Sequence, residues 1–330
     1  MTEQVFITRM IPDVGLKAIS AAFETSIWTK EEPPSKADII RKAKRASGIV
    51  TLLTDSIDGE VIESLPELRV ISQYAVGFDN IDISTATQKG IMVTNTPGVL
   101  TETTADFTWA LILSVSRRIM EADKYVREGM WRVAWGPRLL LGRDIFGATL
   151  GIIGLGRIGQ AVARRATGFS MRILYHSRTR SDEALAIEKA TGAVRKDIGE
   201  LLRESDIITV HVPLTAETHN MIGPDELAMM KPGAVLINTS RGPVVDEDAL
   251  YDSLKSGHLG GAGLDVFTQE PVSLKNPLLK MPNVVLAPHI GSASIDTRNR
   301  MAQICSENLI TALQGNVPRY IVNPEVLRNE

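Results

Sequence analysis

A glycine-rich turn between an apolar run and a helical pattern is the feature that most constrains this chain. The run Thr149–Ile153 leads into Gly154-x-Gly156-x-x-Gly159, and helical periodicity follows at once. In such a strand–turn–helix unit the first glycine permits the turn, the second lets the backbone approach a pyrophosphate, and the third allows close packing. The helix N-terminus adds free N–H groups for the phosphates. We therefore expect a dinucleotide site here rather than an ordinary strand-to-helix turn.

The end of the next strand-like segment indicates which dinucleotide is preferred. A site for NAD typically has an acidic residue about 20 positions after the glycines, where it binds the ribose 2′-hydroxyl. This chain instead has Ser177, followed by Arg178, Thr179 and Arg180. A hydroxyl and guanidinium groups can hold a 2′-phosphate, which a carboxylate would repel. We expect NADP(H) to be preferred, with NAD(H) as the alternative, unless these arginines only form a solvated loop.

Composition limits the remaining classes of function. The 330 residues are 44% hydrophobic and 23% charged, which is ordinary for a globular protein with room for two cores. A net charge of −3 gives no indication of a nucleic-acid or membrane partner. The single cysteine, Cys305, excludes an internal disulfide and any CxxC metal site, so no metal is expected. No secretion signal or membrane-length apolar run is present, and we expect a cytoplasmic protein.

Strand-like runs alternate with helical patterns along the chain, which predicts an α/β fold with parallel sheets. A long helical pattern spans about Thr103 to Arg127, and a turn-rich segment, Asn95–Val99, precedes it. A last helix, about Ile295–Leu313, is expected to pack back on the first part of the chain. The strand-like runs lie near Val5–Thr8, Gly48–Leu53, Val70–Gln73, Met92–Thr94, Thr149–Ile153, Met171–Arg180, Ile207–Val212, Ala234–Asn238, Gly261–Val266 and Val284–Ala287.

Three polar residues follow late strand-like runs. Arg241, Glu270 and His289 each come soon after an apolar run. In open parallel sheets, ligands bind at the carboxyl ends of the strands. Taken singly, the three side chains have structural readings: a helix cap, a surface turn residue and a loop histidine. Their occurrence together at one predicted edge indicates an active site.

Several segments resemble the D-isomer-specific 2-hydroxyacid dehydrogenases, and the resemblance extends over essentially the whole chain. Within that family the chain is most similar to the glyoxylate/hydroxypyruvate reductases, through Val93–Leu100 and His176–Arg180. The segments that carry the family resemblance are Asn238–Asp246, Ala262–Pro271, Ala287–Ser292, the nucleotide loop Gly151–Gly159 and the substrate loop Val70–Asp82.

The chemistry of the three polar residues agrees with this resemblance. Reduction of a 2-oxo acid needs a hydride donor, a proton donor and a cation for the carboxylate. His289 can donate the proton near neutral pH. Glu270 beside the imidazole would orient it and favour its protonated form. Arg241 would bind the carboxylate and polarise the carbonyl group.

The resemblance also implies contacts for substrate and cofactor. It puts the backbone N–H groups of Val76 and Gly77 on the substrate carboxylate. Leu53, Leu100 and Trp135 would wall a pocket for a short 2-oxo acid, unless they are core or interface residues. The residues expected at the cofactor are Thr104, Gly154, Leu155, Gly156, Arg157, Ile158, Gly159, Ser177, Arg178, Thr179, Arg180, Val212, Pro213, Thr218, Thr239, Ser240, Asp265 and Gly291.

We therefore expect two doubly wound parallel-sheet domains with a cleft between them. A flavodoxin-like substrate domain would comprise residues 1–98 and 290–330, and a Rossmann nucleotide domain residues 99–289. The expected activity is reduction of glyoxylate or hydroxypyruvate, in a homodimer whose contact includes the segment around Trp135. Two alternatives stay open: a family dehydrogenase for bulkier 2-oxo acids or phosphite, and a non-catalytic dinucleotide-sensing binding protein.

Overall fold

The structure, a computed structural model, describes residues 3–328. The chain divides into two compact units. Unit 1 consists of Met1–Leu100 and Ala293–Glu330, and unit 2 consists of Thr101–Ser292. Both are α/β units with a parallel sheet, so the predicted fold class is confirmed. Within residues 3–328, no helix has the length and apolar character needed to cross a membrane.

Unit 1 has a five-stranded parallel sheet in the order β2-β1-β3-β4-β5, which is the flavodoxin-like order. Strand β2 was not predicted, because it is an edge strand with exposed and half-exposed residues and no apolar run. The strands are β1 (Gln4–Ile7), β2 (Glu24–Ile27), β3 (Gly48–Thr51), β4 (Val70–Gln73) and β5 (Met92–Thr94). The helices are α1 (Asp13–Ala22), α2 (Lys36–Ala43), α3 (Gly59–Glu63), α4 (Ile83–Gln88) and α12 (Ile295–Leu313).

The last helix completes the core of unit 1. At the N-terminus of α12, the Ser294 hydroxyl accepts a hydrogen bond from the Thr297 N–H, a typical N-cap. The helix packs on α1 and β4. Cys305 lies fully buried in this contact, and burial raises the pKa of its thiol to about 12. The cysteine is therefore a packing residue.

Unit 2 has a seven-stranded parallel sheet in the order β12-β11-β10-β9-β6-β7-β8. The chain order changes direction beside β6, and α/β proteins bind ligands at such a point. The strands are β6 (Thr149–Ile153), β7 (Arg172–His176), β8 (Val194–Arg195), β9 (Ile207–Val210), β10 (Val235–Asn238), β11 (Gly261–Leu264) and β12 (Val284–Leu286). The helices are α5 (Thr101–Ser116), α6 (Ile119–Arg127), α7 (Arg157–Ala166), α8 (Asp182–Thr191), α9 (Ile198–Glu204), α10 (Pro224–Met229) and α11 (Glu247–Lys255).

The expectation of one continuous helix from Thr103 to Arg127 is wrong. The chain forms α5 and α6, and between them Arg118 has a φ of 52°, in the left-handed region that ends a helix. The carbonyl group of Ser116 accepts a hydrogen bond from the Arg143 N–H at 2.8 Å. A Cβ atom at Gly142 would lie 2.4 Å from the same carbonyl oxygen. A distant glycine therefore packs against the end of α5, which helical periodicity does not reveal.

Candidate active site

The glycine turn of unit 2 combines tight packing with an open face. Gly154 has a φ of 96°, which favours glycine, and a Cβ atom at Gly159 would lie 2.1 Å from the Gly154 carbonyl oxygen. A Cβ atom at Gly156 would meet no described atom within 4 Å. Gly156 is also the N-cap of α7 and provides no capping side chain. The first N–H groups of α7 are thus available to an anion.

The segment after β7 differs in part from the expected phosphate site. The Ser177 hydroxyl donates to the Thr179 carbonyl at 2.7 Å, and Arg178 is exposed. Arg180, however, binds the Glu188 carboxylate with two donors, one of them Nε at 2.9 Å from Oε1. Because Glu188 lies on α8, the Arg180 guanidinium is engaged there. Of the two predicted arginines, Arg178 is the one not engaged by Glu188.

Arg195 on β8 supports this segment and was missed by the sequence analysis. Its Nη2 donates to the carbonyl oxygens of Ser177 at 2.8 Å and Arg178 at 3.1 Å. These bonds fix the backbone at the end of β7. The only signal in the sequence was a basic residue in a short segment whose pairing with β7 was not predicted.

Four residues form a row along the carboxyl edge of the unit 2 sheet. Strands β6, β9, β10 and β11 pair in register through their last residues. The next residue of each strand therefore lies beside its neighbours, in the order Gly154, His211, Thr239 and Asp265. The hydroxyl oxygens of Thr239 and Thr108 are 3.0 Å apart, which joins the row to α5. Three of the four residues in the row were predicted to contact the cofactor.

His211 is the member of the row that the sequence analysis missed. Both ring nitrogens are shielded from solvent, and neither has a hydrogen-bond partner within the described part of the chain. Burial lowers the pKa of this imidazole to about 3, so the ring is neutral. In the following loop, which includes Val212, the Thr218 hydroxyl donates to the Pro213 carbonyl at 2.6 Å. The two predicted residues Pro213 and Thr218 thus close one turn.

Glu270 and His289 form a hydrogen-bonded pair. His289 Nδ1 lies 2.7 Å from Glu270 Oε2, and Glu270 Oε1 accepts the Phe267 N–H at 3.0 Å. Burial disfavours the carboxylate. Three neighbours outweigh this effect and keep the pKa of Glu270 below its ordinary value. They are His289, through its hydrogen bond and charge, the Phe267 N–H, and the charge of Arg241. Glu270 is therefore an anion oriented towards the imidazole.

Asp265 fastens the turn that carries His289. Its two carboxylate oxygens accept the N–H groups of Ile290 and Gly291, each at 2.7 Å, and its backbone carbonyl accepts the His289 N–H at 2.8 Å. His289 has a φ of 57°, an uncommon conformation for a residue other than glycine. A Cβ atom at Gly291 would lie 3.5 Å from Thr104 Cγ2, so these two predicted residues are also adjacent. Asp265 thus holds a strained backbone in place.

Arg241 is positioned by the preceding asparagine. Asn238 is buried, and its Nδ2 donates to the Arg241 carbonyl at 2.9 Å while its Oδ1 accepts the Ser240 N–H at 3.0 Å. A Cβ atom at Gly242 would lie 1.9 Å from the carbonyl carbon of Phe267. The loop of Arg241 therefore packs directly on the loop that ends in Glu270. Asn238 was missed because nothing in the apolar pattern marks it.

The residues predicted for the substrate are divided between the units. Val76 and Gly77 lie half-buried in the loop after β4. Leu53 lines a shallow cavity of about 460 Å³ in unit 1, whereas Leu100 packs against the core of unit 1. Trp135 lies in unit 2, in an irregular segment, and is 76% exposed. Among residues 3–328, no cluster of three or more His, Cys, Asp or Glu side chains is arranged to hold a metal ion.

Known proteins of similar sequence and structure indicate the family of this chain. The chain is 56% identical over 328 residues to a glyoxylate reductase of Korarchaeum cryptofilum, covering 99% of this chain and 98% of that protein. A Thermus thermophilus crystal structure matches with a TM-score of 0.90 and 44% identity, covering 97% and 99% of the two chains. An NADPH-dependent glyoxylate/hydroxypyruvate reductase of Sinorhizobium meliloti, crystallised with NADP and malonate, matches with a TM-score of 0.87 and 34% identity, covering 99% and 98%.

The family profile matches the unit that contains the glycine turn and the Glu270–His289 pair. It describes the NAD-binding domain of the D-isomer specific 2-hydroxyacid dehydrogenases and covers residues 109–291. The extent of this match and the identity over nearly the full chain agree with the motifs of the sequence. The chain therefore belongs to the D-isomer specific 2-hydroxyacid dehydrogenase family.

Proposed function

We propose that this protein reduces short 2-oxo acids, glyoxylate and hydroxypyruvate, to D-2-hydroxy acids with NADPH. The observation that carries the proposal is the 2.7 Å pairing of His289 with an ionised Glu270 at the carboxyl edge of a dinucleotide-binding fold. A glyoxylate reductase 56% identical over nearly the whole chain supports the substrate class. A structurally similar reductase crystallised with NADP supports the cofactor.

His289 is the proposed proton donor. The Glu270 carboxylate accepts a hydrogen bond from Nδ1 of His289. Nε2 of the imidazolium is then left to donate a proton to the oxygen of the reacting carbonyl group. The hydrogen bond with the Glu270 carboxylate fixes the orientation of the ring. Asp265, through the turn it fastens, keeps that ring in one position.

Arg241 is the proposed carboxylate ligand. A guanidinium presents paired donors that match the two oxygens of a carboxylate, and its charge polarises the adjacent carbonyl group. We propose that the N–H groups of Val76 and Gly77 bind the same carboxylate. Arg241 and Glu270 lie on loops that pack on each other, so the anion ligand and the proton donor belong to one part of unit 2.

The residues of unit 2 fit a nicotinamide dinucleotide. The open face at Gly156 and the uncapped N-terminus of α7 suit a pyrophosphate. When bound, the cofactor supplies the hydride. We propose that the turn from Gly154 to Gly159 holds the phosphates and that Thr239 and Asp265 lie along the nicotinamide half. The remaining predicted contacts are Thr104, Leu155, Arg157, Ile158, Thr179, Val212, Pro213, Thr218, Ser240 and Gly291.

Two glycine substitutions should separate packing from cofactor approach. Gly156→Ala should leave the melting temperature unchanged, because its Cβ meets open space, but weaken cofactor binding by about tenfold or more. Gly159→Ala should destabilise unit 2 by about 1–3 kcal/mol, because its Cβ would lie 2.1 Å from a carbonyl oxygen. Thermal melting and calorimetric titration with NADPH measure both effects. Wild-type cofactor affinity in Gly156→Ala would contradict the assignment of the phosphate site.

The proposed preference for NADPH rests on Ser177 and Arg178. Arg195 holds their backbone, and Arg178 is exposed at the end of β7. Arg180 contributes less than its position in the sequence suggests, because Glu188 already binds it with two donors. A 2′-phosphate is bound by hydroxyl donors and cations. Arg178 can supply the cation, and the Ser177 hydroxyl can supply a donor by turning away from the Thr179 carbonyl.

Ser177→Asp should therefore reverse the cofactor preference. The new carboxylate repels the 2′-phosphate and can bind a ribose 2′-hydroxyl, so the Kd for NADPH should rise by about 10–100-fold relative to that for NADH. Ser181→Asp is the charge-matched control, because Ser181 caps α8 and Asp caps a helix equally well. Fluorescence titration with both cofactors gives the ratio. A wild-type protein that already prefers NADH would refute the proposed preference.

Pocket size is the basis for proposing short substrates. Bulky apolar side chains at Leu53, Leu100 and Trp135 would leave room for two- or three-carbon acids. The main test is the decrease in absorbance at 340 nm with glyoxylate, hydroxypyruvate, bulkier 2-oxo acids and each reduced cofactor. Fast oxidation with the two short acids supports the proposal. Turnover of bulkier acids, or of phosphite with the oxidised cofactor, would support the other dehydrogenase activities. Cofactor binding without turnover would support the dinucleotide sensor.

A homodimer is proposed from the surface of residues 119–146. A contiguous stretch of chain with this many exposed apolar side chains is typical of a protein–protein interface. They are Ile119, Met120, Val126, Met130, Trp131, Val133, Trp135, Leu139, Leu141 and Phe146.

Sedimentation equilibrium should therefore give about twice the chain mass of 36.0 kDa. Phe146→Glu should shift the mass towards 36.0 kDa, because it places a charge in the contact. Val317→Glu, at another exposed apolar residue, should leave the dimer intact. A wild-type monomer at micromolar concentration would contradict the proposal.

A further inference from the structure

Three consecutive carbonyl groups in the loop after β4 are tied to unit 1. Each carbonyl oxygen accepts a hydrogen bond from a different donor near the carboxyl ends of β4 and β5: Ala75 from the Thr96 N–H at 2.9 Å, Val76 from Asn95 Nδ2 at 2.8 Å, and Gly77 from Gln73 Nε2 at 3.2 Å.

These bonds determine where the following N–H groups point. In a trans peptide the N–H of one residue is directed opposite to the carbonyl of the residue before it. The N–H groups of Val76, Gly77 and Phe78 therefore point away from the donors that hold the loop. Within the described part of the chain, none of the three donates a hydrogen bond to another backbone or side-chain group. Successive free N–H groups at a bend such as this one can form an anion site.

The side chains that hold the loop are themselves fixed. Gln73 is fully buried, accepts from the Thr51 hydroxyl at 2.6 Å and donates to Asn80 Oδ1 at 2.7 Å. The backbone carbonyl of Asn95 accepts from Asn308 Nδ2 at 3.0 Å. The orientation of the N–H groups is therefore set by a buried amide network before any ligand binds, which reduces the entropy cost of binding.

We propose that Asn95 is a positioning residue for the substrate carboxylate, and that the Phe78 N–H is a third backbone donor beside those of Val76 and Gly77. This inference rests on the proposed function, since the anion it concerns is the carboxylate of the 2-oxo acid. Asn95 holds the middle carbonyl of the three, and its side chain is the sole described partner of that oxygen. Its removal frees the Val76–Gly77 peptide unit, and with it the Gly77 N–H, to rotate.

The test compares Asn95→Ala with wild type, using glyoxylate as substrate and oxamate as a non-reducible carboxylate probe. The KM for glyoxylate and the Kd for oxamate should each rise by about tenfold, while kcat and the Kd for NADPH stay within about twofold. This pattern separates positioning of the carboxylate from a general loss of structure. Thermal melting reports on folding, and Asn95→Ser, whose side chain is too short to reach, is the second variant.

Asn323→Ala is the matched control in the same unit. Asn323 is buried, donates to the Ile91 carbonyl at 2.9 Å and accepts the Val93 N–H at 2.8 Å. Asn323→Ala should therefore lower the free energy of unfolding about as much as Asn95→Ala, but at a position away from the loop. Unchanged oxamate affinity in Asn323→Ala, with a loss in Asn95→Ala, supports the proposal. Equal affinities in wild type and Asn95→Ala, or equal losses in both variants, overturn it.

The proposed reductase function and the proposed role of Asn95 can be refuted independently of each other. If wild type binds oxamate but reduces no 2-oxo acid, the reductase assignment is refuted, and the ratio of oxamate affinities still decides the role of Asn95. If wild type reduces glyoxylate and Asn95→Ala has an unchanged KM, the reductase stands and the positioning role is refuted. Wild type that neither binds oxamate nor reduces glyoxylate overturns both.

Discussion

Replacing His289 by Asn should lower kcat for glyoxylate reduction by about 10³-fold, because the reacting oxygen loses its proton donor. Asparagine suits this substitution, since it tolerates the left-handed conformation that His289 adopts, with a φ of 57°. The turn fastened by Asp265 should therefore keep its shape. The measurement is steady-state kinetics at saturating NADPH, together with the Kd for NADPH, which should not change.

The pH dependence gives a second reading of the same variant. Wild-type reduction should fall only at a pH below the ordinary range of a glutamate, because the hydrogen bond with His289 keeps the pKa of Glu270 low, and His289→Asn should move that loss to higher pH. His258→Asn is the matched control, because His258 bonds a backbone carbonyl of unit 2 at 3.1 Å and is not part of the proposed site. A His289→Asn enzyme with wild-type kcat would exclude this histidine as the proton donor.

Replacing Arg241 by Met should lower kcat/KM for glyoxylate by about 10³-fold. The variant removes the proposed ligand of the carboxylate and the cation that polarises the carbonyl group, and loss of one partner of a hydrogen-bonded ion pair costs about 2–5 kcal/mol. Arg241→Lys keeps the charge without the paired donors, and a smaller loss, about 10²-fold, is expected. Kinetics with glyoxylate at saturating NADPH measure both variants.

The control for charge loss is Arg203→Met. Arg203 is exposed on α9, and its removal should leave kcat/KM unchanged. The Kd for NADPH should stay near its wild-type value in the Arg241 variants, because the Arg241 side chain is not among the proposed cofactor contacts. Unchanged kcat/KM in Arg241→Met would mean that the substrate carboxylate binds to other groups.

Several elements were readable from local patterns. The apolar periodicity of α12 predicted the bounds Ile295–Leu313 that the structure has. The apolar runs of β3, β4 and β10 are strands whose residues are all buried, so each run is visible without its neighbours. The edge strand β2 and the break at Arg118 were not predicted. One depends on pairing with β1 and the other on contact with Gly142, and both partners are distant in sequence.

The candidate site shows the same division between local and distant causes. Arg241, Glu270 and His289 were found because each follows an apolar run near the carboxyl end of a strand. The placing of Glu270 beside the His289 imidazole was expected from their chemistry, whereas the hold of Asp265 on the turn and the hold of Asn95 on Val76 were not predicted. Arg180 was expected to bind the phosphate, but its guanidinium is bound by Glu188, which lies on the following helix.

The sequence by itself determined the α/β class, the dinucleotide turn, the family and the identity of the polar residues at the sheet edge. These depend on glycine spacing, apolar periodicity and short motifs, which act within a few residues. Tertiary structure decided which side chains pair, which backbone groups are held and which cations stay available. Those outcomes depend on parallel strands bringing together residues far apart in the chain, such as Asp265 and Gly291 or Gln73 and Thr51. Local patterns do not show which distant strand becomes the neighbour.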